Sequence, residues 1–503
     1  MKEKLLKTNN LGLRLKMKKR SIGFNAILNG LRSVLNILFP IITFPYVSRI
    51  LLVKGIGIYN FSNSIVSYFS LIAALGINTY AIREGSKLRE NKDKITQFAS
   101  QIFTINMWST CLAYLLLFLC LLLFSKLHSY VSCILIFSLQ TFFTTIGTEW
   151  IYQIYEDYSY ITIREIIFQI ISLILLFIFV RGPQDYLKYA AITVFSIIGS
   201  NILNFFHARR YCHIHLVWHF NWKVHIGPII ILFFASIANM IYVNSDITLL
   251  GLMKDNYVVG IYSVSSKVYQ IVKILISAVL IVTIPRLAML FGKHKVDEYK
   301  SILSKLSNIL ILLALPASTG LFMLAREVVL IISGPKYLRS INSLQILCFA
   351  YIFSILAWIL SDCVLIPAKR EKYVLRSMSA SAVLNIVINL ILIPFWNEDA
   401  AAFSTVLAEM CMFIVNYHYA RDLVKDVFTS KTLLHTFVSS IIGCIGIILV
   451  CILCNFSFQS LIIKTIFSVV LSVIMYGAIL ILLKNKFAII ILNRAKMILK
   501  DKL

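Results

Sequence analysis

The chain has 503 residues, of which 59% are hydrophobic and 14% charged, and its formal net charge is +26. Soluble domains average roughly 25% charged residues, so this composition excludes an ordinary soluble domain. A charge of this size would suit a nucleic-acid-binding protein, but its distribution along the chain, described below, indicates membrane topology instead.

Apolar stretches of about 20 residues, long enough to cross a bilayer as helices, recur along the whole chain. Fourteen are predicted, near residues 24–48, 57–82, 98–125, 129–151, 161–180, 187–207, 226–250, 257–284, 306–332, 341–366, 374–395, 400–420, 433–454 and 461–483. Pro40, Pro45 and Pro316 lie in these stretches and are expected to break or kink their helices. The predicted fold is an all-α polytopic membrane protein with about 14 transmembrane helices.

Lysine and arginine residues are distributed unevenly between the two sides of these spans. If the N-terminus is inside, 35 of the 48 lie in or beside the tails and the even-numbered connections, and 10 in or beside the odd-numbered ones. The remaining three, Arg32, Lys267 and Lys273, are assigned to spans. Such a bias follows the positive-inside rule, so both termini are predicted to be cytoplasmic. No cleavable signal peptide is expected, because the basic start leads directly into a full-length span.

The first two spans each carry a stripe of polar side chains. In the first span, the stripe lies within about 100° of arc and consists of Asn25, Asn29, Arg32, Ser33, Asn36 and Thr43. In the second, it lies within about 80° and consists of Asn60, Asn63, Ser67, Ser70 and Asn78. Helix packing through small polar residues explains a single serine or asparagine, whereas aligned stripes with a charge favour a shared polar space.

A short motif occurs twice. Gly57-Ile58-Tyr59-x-x-Ser62 opens span two, and Gly260-Ile261-Tyr262-x-x-Ser265 opens span eight, 203 residues later. Inverted or parallel repeats are common in transporters. We therefore predict two six-helix bundles, and the following division of the chain: a basic cytoplasmic tail (1–20), the first bundle (21–207), a cytoplasmic linker (208–224), the second bundle (225–420), helices 13 and 14 (421–485) and a second basic cytoplasmic tail (486–503).

The linker contains three histidines, His213, His215 and His219, beside Cys212. Their spacing matches no standard closed zinc site, so a basic, aromatic segment at the lipid headgroups is the favoured interpretation. Cys451 and the cysteine three residues after it form a C-x-x-C motif, but inside an apolar helix neither redox nor metal chemistry is expected.

Span eight combines an apolar face with a polar one. Its polar side chains lie within an arc of roughly 160° and are Tyr262, Ser263, Ser266, Lys267, Tyr269, Gln270 and Lys273. A lysine at the bilayer centre costs about 2.5–3.5 kcal/mol, so it normally faces a bundle interior or an aqueous path. Snorkelling to the interface is the alternative for both lysines.

The run from Phe44 to Glu84 resembles the N-terminal signature of bacterial polysaccharide-repeat flippases, the Wzx or O-antigen and teichoic-acid export group. The matching pieces are Arg49, Gly57 to Tyr59, Gly76, Arg83-Glu84 and, in the second half, Asp246, Gly260 to Tyr262, Lys267 and Pro285-Arg286. The resemblance covers most of 21–420. Because drug-exporting MATE transporters and lipid II flippases share this MOP superfamily, it implies two six-helix bundles about a pseudo-twofold axis, opening alternately to either side. The two further helices resemble the flippases and depart from the twelve-span drug exporters.

The function that this resemblance implies is transport. The expected activity is to move a polyprenyl-diphosphate-linked oligosaccharide repeat unit from the cytoplasmic to the outer leaflet of the bacterial plasma membrane, for surface polysaccharide biosynthesis. Expected partners are this lipid-linked oligosaccharide, the bilayer, and a polysaccharide polymerase with other assembly proteins, but no nucleic acid. No cofactor is expected, although H⁺ or Na⁺ is a candidate coupling ion. A cation-coupled small-molecule exporter is the alternative.

A membrane enzyme such as a polymerase or ligase is a third class. The sequence contains no nucleotide-binding loop, metal-binding carboxylate cluster or nucleophile–base constellation, so no catalytic activity is expected.

A diphosphate headgroup needs positive charge in a polar cleft, where arginine can bind phosphate bidentately and neutral side chains can bond sugar hydroxyls. The predicted substrate cavity therefore consists of Arg32, Lys267, Lys273, Asn29, Asn36, Asn63, Tyr262, Ser266 and Gln270. The predicted gate or structural residues are Arg49, Arg83, Glu84, Asp246 and Arg286. For Asp246, near the outer end of span seven, a basic partner across the cavity is one expected role.

Overall fold

The computed structural model describes the backbone of residues 22–490 and the side chains of residues 39–490, except those of residues 235, 278, 281 and 282. This part of the chain is 87% helical and contains no β-strand. Thirteen of its helical segments are long and apolar enough to cross a membrane. One of them, Phe39–Gly85, covers the second predicted span and the end of the first, which accounts for the difference from fourteen.

The first half of the chain forms seven α-helices, of which α2 and α5 are short. They are α1 (Ile22–Ala74), α2 (Ile77–Gly85), α3 (Lys92–Leu123), α4 (Val131–Gly147), α5 (Glu149–Ile154), α6 (Tyr158–Phe179) and α7 (Tyr186–Ala208), with a 3₁₀ helix at Ser125–Tyr130.

The second half follows a similar order of elements. It contains α8 (Lys223–Met253), α9 (Asn256–Gly292), α10 (Val296–Met323), α11 (Ala325–Ile332), a 3₁₀ helix (Pro335–Tyr337), α12 (Ser340–Trp358), a π-helical segment (Ile359–Leu365), α13 (Glu371–Trp396) and α14 (Glu398–Phe428). Two more helices complete the described chain, α15 (Lys431–Ser457) and α16 (Leu461–Leu482).

Helix α1 consists of two helical segments that meet at a kink at Leu52, in the connection between the first two predicted spans. There the backbone has φ 58° and ψ −178°, while Pro40 and Pro45 lie inside regular helix. The expectation that these prolines break the helix is therefore wrong. Transmembrane helices tolerate proline where neighbouring groups compensate the lost hydrogen bond. A positive φ at a non-glycine residue costs about 1–3 kcal/mol and persists only when the surrounding structure imposes it.

We refer to the two ends of the helices by their connections. The kink end carries Leu52 and the connections at 124–130, 180–185, 254–255 and 333–339. The linker end lies at the opposite ends of the same helices and carries the connections at 86–91, 155–157, 209–222 and 293–295. By the charge distribution given above, the linker end is the one predicted to be cytoplasmic.

Helices α1 and α9 cross at the kink end with almost no space between their backbones. A Cβ atom added to Gly57 would lie 1.8 Å from the carbonyl oxygen of Asn256, and one added to Gly260 would lie 2.0 Å from that of Val53. Both positions therefore require glycine. The two contacts are reciprocal, because Val53 and Asn256 are separated by the same 203 residues as the two glycines.

Further contacts hold the two halves together at the kink end. The Tyr337 hydroxyl donates to the Ser48 carbonyl at 2.9 Å, and the Lys126 ammonium donates to the Leu252 carbonyl at 2.5 Å. Tyr130 donates to the side chain of Asn256 beside the helix crossing. These contacts close the kink end of the molecule.

The last two helices pack on one side of the second half. Helix α15 lies against α10, and α16 lies against α15. The Tyr476 hydroxyl donates to the Leu312 carbonyl at 3.1 Å, and Lys464 pairs with Glu327 at 2.5 Å. The outer face of α16 presents apolar side chains, including those of Val473 and Ile474, as expected for a helix that faces lipid.

Candidate functional site

Three of the predicted cavity residues, Asn29, Arg32 and Asn36, have side chains that lie outside the described residues. Their backbone belongs to α1. Their role in a substrate cavity therefore stays a prediction.

Lys267 lies on α9, within the candidate span Asn256–Ser277, and is partly exposed. It makes no hydrogen bond or ion pair with any described residue. Ser266 and Gln270 are also partly exposed on this helix, and the Gln270 amide lies 3.5 Å from the Ser266 hydroxyl. Asn63 on α1 is likewise partly exposed. Lys267 is thus a positive charge without a counter-charge among the described residues, next to neutral hydrogen-bonding groups, on a helix that is apolar enough to span a membrane.

Lys273 has a different environment, six residues further along α9. Its ammonium lies 2.8 Å from a carboxylate oxygen of Glu409 on α14, and the Lys273 side chain is 22% exposed against 3% for Glu409. The Tyr269 hydroxyl donates to the same carboxylate at 3.2 Å. The ammonium also lies 6.0 Å from the centre of the Tyr242 ring. The charge of Lys273, predicted to face substrate, is therefore compensated within the protein.

Asp246 on α8 accepts hydrogen bonds from four neutral side chains. The Tyr262 hydroxyl lies at 2.6 Å, the Thr405 hydroxyl at 2.7 Å, and the amides of Asn389 and Asn385 at 2.7 and 3.0 Å. No basic side chain among the described residues pairs with Asp246, and the expected basic partner stays a prediction because the side chain of Arg32 lies outside them. The four donors satisfy the carboxylate.

The position of Tyr262 also requires a correction. Its side chain is 2% exposed, and its hydroxyl donates to Asp246. In this structure it is part of the buried polar cluster and does not line an open surface. Ser266, Lys267 and Gln270, which follow it on α9, are the partly exposed members of the predicted polar face.

Only a weak sequence signal points to the rest of this cluster. Polar residues recur every fourth position along α13 and include Asn385 and Asn389, which the structure places against Asp246. Ser404 on α14 donates to Asn389 at 2.9 Å. The roles of Ser404 and Thr405 in the cluster could not be recognised from the sequence, because a single serine or threonine in an apolar span is common.

The predicted gate residues lie at opposite ends. Arg49 donates to the carbonyls of Leu330, at 3.4 Å, and Ile331 near the C-terminal end of α11, where a positive charge complements the helix dipole. At the linker end, Arg83 lies 2.9 Å from Glu84 on the surface of α2.

Arg286 is exposed on α9. The described residues thus give Arg49 a role that connects α1 with α11, whereas the roles of Arg83, Glu84 and Arg286 in a gate stay predictions.

Arg164 is a buried charge that the sequence analysis missed. It lies on α6 with 5% of its surface exposed, and its Nη2 atom is 3.7 Å from Glu149. Its Nε and Nη1 atoms have no hydrogen-bond partner in the described part of the chain. Because it follows the start of the predicted fifth span by only a few residues, it was counted with the preceding connection. A buried guanidinium with unsatisfied donors is costly and therefore calls for a functional explanation.

The linker after α7 runs back along α3. The backbone amide of Val217 donates to the Thr104 hydroxyl at 3.0 Å, and the Trp218 and Trp108 rings meet edge to face at 6.0 Å. His215 contacts Ser100, while His213 is exposed. In the described part of the chain, no three His, Cys, Asp or Glu side chains are grouped so that they could hold a metal ion.

The comparisons with known proteins agree with this geometry. A family model described as "Polysaccharide biosynthesis protein" matches residues 22–291. The chain is 23% identical over 387 residues to a putative O-antigen transporter of Shigella dysenteriae, covering 75% of this chain and 95% of that protein. It is 22% identical over 413 residues to a putative O-antigen transporter of Escherichia coli K12, covering 81% and 96%.

Two further comparisons concern a relative that matches over a shorter stretch and a solved structure. A probable low-salt glycan biosynthesis flippase, Agl15 of Haloferax volcanii, is 24% identical over 208 residues, which cover 41% of this chain and 44% of that protein. The lipid II flippase MurJ, in an inward closed conformation, superposes with a TM-score of 0.69 at 13% identity, covering 91% of this chain and 98% of that one. The predicted all-α polytopic fold and the predicted resemblance to Wzx-like flippases are confirmed. The chain belongs to the polysaccharide biosynthesis protein family.

Proposed function

We propose that this protein is a flippase that moves a lipid-linked oligosaccharide across the membrane by alternating access, for surface polysaccharide biosynthesis. The observation that carries the proposal is Lys267, an ammonium in a candidate membrane span that no described residue pairs with. Its cost is offset if the transported headgroup is itself an anion, as a diphosphate is. The relatives that match over 95% and 96% of their own length are named O-antigen transporters, which supports the same conclusion.

The polar neighbours of Lys267 on α9, and the partly exposed Asn63 on α1, suit a sugar diphosphate. Ser266, Gln270 and Asn63 are neutral hydrogen-bonding groups that exchange easily between water and sugar hydroxyls. Lys267 supplies the positive charge for the phosphates. Weak, exchangeable contacts of this kind allow a substrate to leave as well as to enter.

The two halves, 21–207 and 225–420, would move as pseudo-twofold-related bundles. The repeated order of helices and the reciprocal contact of Gly57 and Gly260 support this division. The linker end would face the cytoplasm of a bacterial cell together with both termini, in accordance with the distribution of lysine and arginine. The released repeat unit would then pass to a polymerase and other assembly proteins.

The coupling ion, H⁺ or Na⁺, would act at Asp246. Its carboxylate is 8% exposed and has no positively charged partner among the described residues. The side chains of Thr405, Asn385 and Asn389 each carry an oxygen atom and contact this carboxylate directly. A proton or a small cation at this carboxylate would neutralise a buried charge.

The relatives are named as transporters of glycans or as flippases, so a small-molecule exporter is less supported. None is named as an enzyme, which is consistent with a protein that carries out no chemical step.

The test is the sidedness of the polyprenyl-diphosphate-linked oligosaccharide in spheroplasts, measured with an impermeant sugar-oxidising reagent or a lectin. Cells without this protein are expected to lose the outward-facing pool and to accumulate the lipid inside. An unchanged outward pool in a strain that lacks other flippases would contradict the proposal.

A further inference from the structure

A cavity of about 620 Å³ opens at the kink end, between the two halves of the chain. Lys54 on α1 and Tyr186 at the start of α7 line it from the first half. Tyr257 on α9 and Lys336 in the 3₁₀ helix Pro335–Tyr337 line it from the second. These residues are separate from the polar face at Lys267 and from the Asp246 cluster, so the function proposed above leaves the cavity unexplained.

The two lysines give this cavity a positive charge that no lining carboxylate neutralises. Both Lys54 and Lys336 are exposed, and neither pairs with a described acidic side chain. The nearest acidic residue in the sequence, Asp185, is already engaged with Lys188 at 2.7 Å and with the backbone amides of Arg181 and Gly182.

The same contacts fix the charge state of that carboxylate. The Lys188 ammonium, together with the two amides, lowers the pKa of Asp185 to about 2. Asp185 therefore stays ionised and turned towards its own partners. An anion in the cavity would meet two ammonium groups without a competing carboxylate of the lining.

The remaining lining combines apolar and aromatic surface with one amide. Leu52 and Ile58 line the cavity beside the partly exposed rings of Tyr186 and Tyr257, and Gln184 adds a hydrogen-bonding group. Binding sites for small polar ligands typically have such a lining, mostly apolar with few polar groups. The apolar face of a sugar ring packs on an aromatic ring, while its hydroxyls bond to amides.

We propose that this cavity binds the anionic sugar headgroup on the side to which it is delivered, with a phosphate between Lys54 and Lys336 and the sugar against Tyr186 and Tyr257. The proposal rests on the flippase function given above and adds a second binding site to it. Because each half contributes one lysine, the bound phosphate bridges the halves and holds the kink end closed.

The test uses the purified full-length protein in detergent and N-acetylglucosamine 1-phosphate as the probe, with neutral N-acetylglucosamine and glycerol 1-phosphate for comparison. Equilibrium binding and the midpoint of thermal unfolding are measured for the wild type. We expect the sugar phosphate to bind at least about tenfold more tightly than either comparison compound, because it alone offers both the charge and the ring. It should also raise the unfolding midpoint.

The variants are Lys54→Gln, Lys336→Gln and their combination. The double variant is expected to bind the sugar phosphate as weakly as the neutral sugar. Arg181→Gln is the matched control, an exposed basic residue at the same end that does not line the cavity, and it should bind like the wild type. The pair Lys54→Arg and Lys336→Arg keeps the charge and should retain binding, which separates loss of charge from loss of folding.

Unchanged affinity in the double glutamine variant would overturn the proposal. Tighter binding of glycerol 1-phosphate than of the sugar phosphate would overturn the assignment to a sugar headgroup in favour of a phospholipid headgroup. The sidedness assay on cells is independent of both. If sugar phosphate binds through the two lysines but the outward pool is unchanged without the protein, the flippase function fails while the site stands.

Discussion

Two lysines on the same helix have opposite environments, and the comparison separates a charge that is available from one that is structural. Lys273 is paired with Glu409 and lies beside two tyrosine rings. Lys267 has no partner among the described residues and is partly exposed. The difference teaches that a charge inside a span does not by itself mark a substrate site. What matters is whether the protein already supplies the opposite charge.

The largest expected effect comes from breaking the paired site. Glu409→Gln leaves the Lys273 ammonium without its counter-charge, and removing one partner of a buried ion pair costs about 3 kcal/mol. The midpoint of thermal unfolding of the purified protein should fall accordingly. Adding Lys273→Met, which removes the orphaned charge, should restore most of the loss. A single variant as stable as the wild type would contradict the structural role of this pair.

Removing the charge of Lys267 should affect export and not stability. Lys267→Gln is expected to leave the unfolding midpoint unchanged or slightly raised, since no described interaction is lost. Export should fall by about tenfold or more, the value of a charge-assisted hydrogen bond to phosphate. The outward pool of lipid-linked oligosaccharide in spheroplasts measures it. The prediction fails if export is normal, or if the variant no longer inserts in the membrane.

Asp246→Asn tests the buried cluster next to these lysines. An amide has one acceptor oxygen where the carboxylate has two, so two of the four donors around it would lose their acceptor, at a cost of about 2 kcal/mol. Thermal unfolding reports this loss. If Asp246 binds the coupling ion, the remaining export should no longer depend on the Na⁺ or H⁺ gradient. Export that keeps its ion dependence would remove Asp246 from coupling.

A small effect on stability is also expected for Arg164→Met. The guanidinium is buried with two nitrogens that are unsatisfied among the described residues, and its partner Glu149 is 3.7 Å away and 29% exposed. Because Glu149 stays partly hydrated without it, an apolar side chain of similar length should change the stability by no more than about 1 kcal/mol. If the variant is at least as stable as the wild type but exports less, Arg164 has a functional role like that of Lys267. If the variant is less stable but exports normally, Arg164 has a structural role like that of Lys273.

The positions of the spans were predictable because hydropathy is a property of consecutive residues. The environments of the charges were not. Glu409 meets Lys273 across 136 positions of sequence, and the polar residues of α13 gave no indication that they face Asp246. The kink at Leu52 lies in the connection between the first two predicted spans, but its exact position was not predictable because proline is the usual local signal for a bend. Here the crossing of α1 and α9 lies beside it.

The reciprocal glycine contact has a consequence for the origin of the chain. A contact in which each residue and its counterpart 203 positions later exchange roles has the geometry of a symmetric dimer interface. Two copies of a single half could form it with one glycine supplied by each copy. A half-length ancestor would thus have formed a homodimer before gene fusion. Every mutation of its one glycine would have changed both sides of the interface. After fusion, Gly57 and Gly260 mutate independently, yet each still meets a backbone carbonyl at its own position.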